Sequence, residues 1–211
     1  MSIQHNAETG ILCGIIREHR DVWWPKDLES PRLGIELGVH RGAMSAALLH
    51  EFPHLTLHMV DAWSAYDAGH PYRESGDGCA KFTAKEQEDN MQEAIDSTLF
   101  ADERRWIHDV STKEFFEANE RLGRIKPESL CFVFIDADHT YEAVKHDIEK
   151  SWPLIRPGGL LCGHDYGHPR DKRGIWGVAR AVTEFAYAQS PPVRIHGNTI
   201  WSIIKPKNQP T

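Results

Sequence analysis

A doubly wound α/β sheet, parallel except for a reversed strand near the carboxyl end, is the fold class that this 211-residue chain predicts. Three observations carry the expectation. From residue 33 onward short apolar runs alternate with amphipathic stretches, the pattern of repeated strand–helix–strand units. One run, Leu130-Cys131-Phe132-Val133-Phe134-Ile135, contains no charged residue, as a central strand buried on both faces requires. Near the end, Gly197-Asn198 separates Val193-Arg194-Ile195-His196 from Thr199-Ile200-Trp201-Ser202-Ile203-Ile204, a two-residue hairpin signal that turns the last strand back.

Taken in order, residues 7–20 predict a helix with Ile11, Leu12, Ile15 and Ile16 as an apolar stripe, a cover expected at the sheet edge. Val22-Trp23-Trp24-Pro25 follows as a linker whose tryptophans are either core anchors or an oligomer contact. Residues 33–61 read as strand, glycine turn, helix and second strand. Gly34-Ile35-Glu36-Leu37 is the first strand, Gly38 and Gly42 bracket the turn, and Met44, Ala47 and Leu48 follow at helical spacing until Pro53. Leu55, Leu57 and Met59 then alternate up to Asp61. Residues 62–78 show no periodicity and predict a long loop, of the kind that forms a lid or binding wall. Residues 81–99 resume helical character, with Phe82, Met91, Ala94 and Ile95 turned inward, so that 62–99 as a whole reads as a lid and acceptor-pocket insertion. A third strand runs from Arg105 to Val110, and residues 112–122 form a helix with Phe115 and Phe116 inside. After residues 130–135 a helix starts at Thr140 with Tyr141, Val144, Ile148 and Trp152 on one face. Pro157-Gly158-Gly159 turns the chain into a strand at 160–163, and residues 176–188 form the last helix. No repeat and no second core appear, so residues 1–211 make one domain, with 1–30 as its helical cover.

Composition narrows the function. A net charge of −7 without a Lys/Arg cluster argues against nucleic acid as partner. No apolar run nears the roughly 20 residues a membrane span needs, and residues 1–6 lack the features of a signal peptide. Cys13, Cys79, Cys131 and Cys162 lie far apart with no metal or disulfide spacing, which fits a reducing, cytoplasmic setting.

Chemistry gathers at the predicted strand ends. Asp61, Asp109 and Asp136 each close a strand, and parallel strands would bring these acids to one rim, where open sheets bind ligands. The turn Glu36-Leu37-Gly38-Val39-His40-Arg41-Gly42 has the spacing E-x-G-x-x-x-G. It differs from the dinucleotide turn G-x-G-x-x-G by an acid in place of the first glycine, which would repel a phosphate but could orient cationic or hydroxyl groups. These residues resemble class I S-adenosylmethionine-dependent methyltransferases, whose first motif has that form and whose second strand ends in an acid. The resemblance spans about residues 33–204. It implies a Rossmann-like, seven-stranded, mostly parallel sheet with a reversed C-terminal strand, and S-adenosyl-L-methionine as cofactor. It assigns Glu36, Gly38, His40 and Gly42 to the methionyl end of that cofactor, Asp61 to its ribose, and Asp109 with Val110 to its adenine.

A second constellation joins Phe134-Ile135-Asp136-Ala137-Asp138-His139-Thr140-Tyr141 to Gly158-Gly159 and Gly163-His164-Asp165-Tyr166. It resembles a subgroup of small bacterial methyltransferases, and more distantly the metal-dependent catechol- and caffeoyl-CoA-type and macrolide-sugar O-methyltransferases. The resemblance implies a divalent cation, magnesium, manganese or another, at Asp136, His164 and Asp165, with a small-molecule hydroxyl as the methyl acceptor. His164 departs from the acid found in those relatives, and its nitrogen suits manganese, iron or zinc better than magnesium; alternatively it is a base in a site without metal. His139 stands where the relatives carry a lysine beside the reacting hydroxyl, so it is either the proton acceptor or a helix cap. Asp138 is expected to cap that helix. His54, His58 and His70 show no partner spacing, and His168 would join the site only if its loop folds back. The catalytic set is thus His139, Asp136 and Asp165. Rival readings are a nucleotide-dependent oxidoreductase, against which the missing G-x-G-x-x-G counts, a non-catalytic cofactor-binding module, and a metal-dependent hydrolase, which leaves the glycine turn and Asp61 without a role.

Overall fold

The computed structural model describes residues 7–23 and 32–207, the side chains of 20–23 excepted, so the expectations on Trp23 and Trp24 lie outside the described residues. The chain runs α1 (Ala7–Trp23), β1 (Arg32–Leu37), α2 (Ala43–Glu51), β2 (Leu55–Asp61), α3 (Pro71–Glu74), α4 (Ala84–Ser97), β3 (Arg105–Asp109), α5 (Thr112–Leu122), β4 (Leu130–Ile135), α6 (Tyr141–Ser151), β5 (Ile155–Gly163), α7 (Pro169–Lys172), α8 (Val178–Gln189), β6 (Arg194–His196) and β7 (Ile200–Ile204). One seven-stranded sheet has the order β3-β2-β1-β4-β5-β7-β6. Strands β1 to β5 are mutually parallel, and β7 runs antiparallel to both β5 and β6. This is the fold class expected, including the reversed last strand.

Alternate residues along each strand serve opposite layers. On β4, Phe132 and Phe134 enter a core shared with α1 and α2, where they meet Leu12, Ile16, Ala47 and Leu48. Val133 and Ile135 enter the other core, shared with α5, α6 and α8, against Phe116, Val144, Ile148 and Val182. All four β4 side chains are at most 4 % exposed, and burying an aliphatic or phenyl side chain to that degree stabilises by about 1.5–3 kcal/mol. Helix ends follow local rules. Thr83 with Glu86 and Ser111 with Glu114 form reciprocal capping boxes, and Gly123, at φ 61°, closes α5.

Three expectations change. Helix α1 lies across a face of the sheet, on β5 and β7 beside α2, and not at its edge; its stripe of Leu12, Ile15 and Ile16 is fully covered there. A one-sided stripe tells that a helix is covered but not by what. Strand β5 begins at Ile155, before Pro157-Gly158-Gly159. Those residues form an irregularity inside the strand, because Leu130 pairs with Ile155 whereas Phe132 pairs with Leu160. Gly158 N–H donates to Lys205 O at 2.7 Å and Lys205 N–H to Gly159 O at 2.9 Å, so the displaced backbone stays paired. The irregular 62–78 stretch holds one short helix, α3, and α4 starts only at Ala84 because Thr83 caps it.

Candidate active site

The carboxyl ends of β1, β2, β4 and β5 open into a cavity of about 830 Å³, whose other walls are residues of α1, the 62–82 segment, α6 and Trp176. Its floor is the turn between β1 and α2. Gly38 has φ 88°, and a Cβ there would lie 2.1 Å from Asp136 O, so only glycine lets the two strand ends approach. His40 and Gly42 also take left-handed conformations, at φ 52° and 77°. The turn is held by Asp61: its Oδ2 accepts from Val39 N–H and His40 N–H, both at 2.9 Å, and its Oδ1 accepts from Trp63 N–H at 3.0 Å. A carboxylate has about four acceptor positions, so Asp61 keeps capacity for a further donor from the cavity that it lines. The His40 imidazole stacks on Phe82 with centroids 5.4 Å apart, and burial, with help from Arg41, lowers its pKa.

Glu36 alternates with the apolar β1 residues and therefore faces α2, where Ser45 Oγ donates to it. It is 1 % exposed. Burial pushes its carboxyl up to about 8; the Ser45 bond opposes this, and the nearby Asp136 and Asp61 add to it. Gly38 and His40 line the cavity as well. Gly42 does not: it packs on α4, where a Cβ would meet Ala94 at 2.8 Å. Asp109 is exposed at the end of β3, and Val110 packs against the second core and donates its N–H to Asp61 O at 3.1 Å. Neither lines the cavity; the next residues, Ser111 to Lys113, do.

The ends of β4 and β5 bring Asp136, His139 and Asp165 together, with ligand atoms all within 4.8 Å of one another. His139 Nε2 lies 3.1 Å from Asp165 Oδ2 and 3.4 Å from Asp136 Oδ1. His164 is a step behind. Its Nδ1 is 3.2 Å from Asp165 Oδ2 and 3.7 Å from Asp136 Oδ1, while its Nε2 meets Thr199 Oγ1 at 2.9 Å and Glu8 Oε1 at 3.3 Å. Asp165 takes a left-handed conformation at φ 62° and is 7 % exposed. Although burial works against it, His139 and His164 hold its carboxyl well below the usual range. The same contacts act in reverse on the imidazoles. Against the effect of burial, Asp136, Asp165 and Asp77 raise His139 well above its ordinary value, and Asp165 and Asp136 raise His164 to about 9. Asp138 Oδ1 accepts from Thr140 N–H at 2.8 Å and steadies the turn before α6, but the cap position of that helix is Thr140, so Asp138 is not the cap that was expected.

Several residues had no sequence signal. Asp77 reaches His139 Nδ1 at 2.8 Å. Trp176 stacks on the same imidazole at 4.4 Å. Glu8 and Thr9 bring α1 to the cavity. Tyr66 and Tyr72 of the 62–78 segment line it, whereas Arg73 does not and donates to Tyr66 O. His168 does not join the acids; it stacks on Trp176 at 4.6 Å and its Nδ1 accepts from Arg170 N–H. His70 caps α3, and His58 does have a partner, His108, at 3.0 Å across β2 and β3.

A family model described as a methyltransferase domain matches residues 35–166. No curated protein sequence matches the chain. Among solved structures, a Corynebacterium glutamicum protein aligns with a TM-score of 0.64 at 16 % identity, over 98 % of this chain and 84 % of its own. An O-methyltransferase from Bacillus cereus in complex with S-adenosylhomocysteine gives 0.61 at 14 % identity, over 97 % and 84 %. The O-methyltransferase TomG from Streptomyces achromogenes, involved in tomaymycin synthesis and in complex with S-adenosylmethionine, gives 0.59 at 13 % identity, over 98 % and 82 %.

Proposed function

The chain belongs to the methyltransferase-domain family, and from that premise we propose that it transfers the methyl group of S-adenosylmethionine to a hydroxyl oxygen of a small molecule. The observation that carries the reading is the joining of two half-sites in one cavity: the Glu36–Asp61 turn on one side, and the Asp136, His139 and Asp165 cluster on the other. The ligands named for the Bacillus cereus and Streptomyces achromogenes structures support the choice of donor.

The turn suits that donor. Val39 and His40 amides already satisfied by Asp61 leave no cradle for a pyrophosphate. Glu36 below and Asp61 beside the cavity favour a ligand that carries positive charge and hydroxyls. The adenine end is assigned to Ser111 at the cavity wall, and not to Asp109 and Val110 just before it, which do not line the cavity. The sulfonium of the donor supplies an already activated methyl group. The work left to the protein is alignment and removal of one proton. Transfer breaks the S–CH₃ bond and forms an O–CH₃ bond, leaving a neutral thioether, and the hydroxyl proton passes to His139 Nε2.

The donor set at Asp136 and Asp165 fits a divalent cation. Asp136 and Asp165 converge with an imidazole nitrogen of His139, all within 4.8 Å, and the expected nitrogen ligand, His164 Nδ1, stands outside that set, 3.7 and 3.2 Å from the same two carboxylates. Asp136, Asp165 and His164 Nδ1 would hold it, and the nitrogen favours manganese, iron or zinc over magnesium. When bound, it would supply Lewis acidity that eases ionisation of the acceptor hydroxyl. A cation held there would take up two of the three carboxylates that raise the His139 pKa. The acceptor is a small molecule and not nucleic acid, given the acidic net charge. Four free cysteines suit a reducing cytoplasm.

The test is product formation. With S-adenosylmethionine, Mn²⁺ and catechol as the acceptor probe, mass spectrometry should find the monomethyl ether, chelator should suppress it, and His139→Gln should lower the rate by about 10²–10⁴-fold. Failure of the wild-type protein to bind S-adenosylmethionine would overturn the reading.

A further inference from the structure

Asp77 is a buried carboxylate whose position the reaction outlined above leaves unexplained. It is 7 % exposed and comes from the irregular segment that walls the acceptor side of the cavity, 62 residues before the histidine it touches. Its Oδ1 accepts from Cys79 N–H at 2.9 Å, its Oδ2 faces His139 Nδ1 at 2.8 Å, and the Tyr72 hydroxyl bonds to it as well. The Cys79 amide and the Tyr72 hydroxyl could be satisfied by a neutral asparagine, without the expense of burying a charge. What a carboxylate alone does here is to hold the imidazole proton firmly on Nδ1.

His139 is fixed from every other side too. Its ring stacks on Trp176 at 4.4 Å and meets the edge of Tyr72 at 6.3 Å, and its carbonyl accepts from Gly177 N–H at 2.9 Å. With Nδ1–H given to Asp77, the nitrogen left for chemistry is Nε2, on the side of Asp136 and Asp165. We propose that Asp77 is a positioning residue that acts through His139: by accepting the Nδ1 proton, it commits Nε2 to the reacting oxygen. The proposal rests on the reading of His139 as proton acceptor. Without the carboxylate the ring is free to carry its proton on Nε2 or to turn over, and either change removes the acceptor from the reaction.

The placement of Asp77 has a second consequence. Arg170, on α7, donates to Gly76 O of the 62–82 segment and stacks on Trp176 at 5.5 Å. The 62–82 segment and the chain around α7 are therefore laced together directly above His139. The base is oriented by the same segment that walls the acceptor space, so the two are assembled together.

The test uses the full chain, labelled with ¹⁵N-histidine, and Asp77→Asn, which keeps an acceptor for the Cys79 amide. The His139 signals are assigned by their loss in His139→Gln. In the wild type, proton NMR in water should show a slowly exchanging proton on Nδ1 of His139. In Asp77→Asn that proton should exchange quickly or move to Nε2, while calorimetry shows unchanged S-adenosylmethionine binding. With catechol as probe, kcat should fall by about 10²–10⁴-fold at an unchanged KM for the donor. The proposal is overturned if the Nδ1 signal is the same in both proteins, or if the wild type shows a protected proton on Nε2 and none on Nδ1. It is equally overturned if Asp77→Asn loses donor binding together with the signal, which marks a purely structural role. Should Asp77→Asn not fold, the wild-type spectrum still decides between the two nitrogens. A wild-type protein that binds no S-adenosylmethionine defeats the methyl-transfer reading instead, and leaves the Nδ1 question answered separately.

Discussion

Glu36 shows how a single residue trades stability for a ligand. Burial holds its folded-state pKa at about 8, above the ordinary carboxyl value of 4.5, so the folded chain keeps a proton that the unfolded chain releases as pH rises between those values. Stability from this group is full below pH 4.5 and drains away towards pH 8. Glu36→Gln mimics the protonated form. It should raise the melting temperature at pH 8, corresponding to roughly 2–4 kcal/mol, and leave it unchanged at pH 4.5, with thermal scans at the two pH values as the check. The same variant should weaken S-adenosylmethionine binding about tenfold or more above pH 8, where the wild-type carboxyl is charged and the variant lacks that partner in the turn. His58 gives the opposite sign. Burial, with His108 alongside, holds its pKa down to about 4, so the unfolded chain binds a proton below pH 6.5 that the folded chain refuses. Stability is then lost as pH falls from 6.5 to 4, by roughly 3 kcal/mol from this group. Denaturant midpoints at pH 7 and 4.5 should shift less in His58→Leu than in the wild type.

Among the elements, the turn between β1 and α2 is the least tolerant. Gly38→Ala would place a methyl group against Asp136 O with a left-handed backbone, and should destabilise by at least about 2 kcal/mol and abolish donor binding. Urea unfolding and calorimetry would read both effects. This turn and the central strands were legible because their residues obey local rules. β4 is apolar throughout since both its faces are covered, and Glu36, Asp61 and Asp136 stand at strand ends where period-two patterns stop. Asp109 obeys the same rule yet stays exposed, because β3 is the outermost strand of the sheet and its acid points past the cavity. The start of β5 was not legible: Pro157-Gly158-Gly159 is the composition of a turn, and the paired carbonyl and N–H of Lys205 keep it in the sheet. Asp77, Trp176 and Glu8 carried no signal either. Each reaches the site through tertiary contacts across long stretches of sequence, which no local pattern encodes.

At the scale of the molecule, the site divides along the sheet's first crossover. In the proposed reading, strands β1 and β2 with α2 supply the donor side, whereas β4 and β5 with the 62–82 segment would supply the acceptor and cation side. Helix α1 ties the two together, since it packs beside α2 and places Glu8 at His164. The two halves should therefore respond independently to substitution. Isothermal titration of S-adenosylmethionine into the wild type, Asp61→Asn and Asp165→Asn tests this directly, the last change being tolerated by a left-handed backbone. The account predicts tight binding by the wild type and by Asp165→Asn, and clearly weaker binding by Asp61→Asn. Absence of binding to the wild type, or equal affinity in all three proteins, would contradict it.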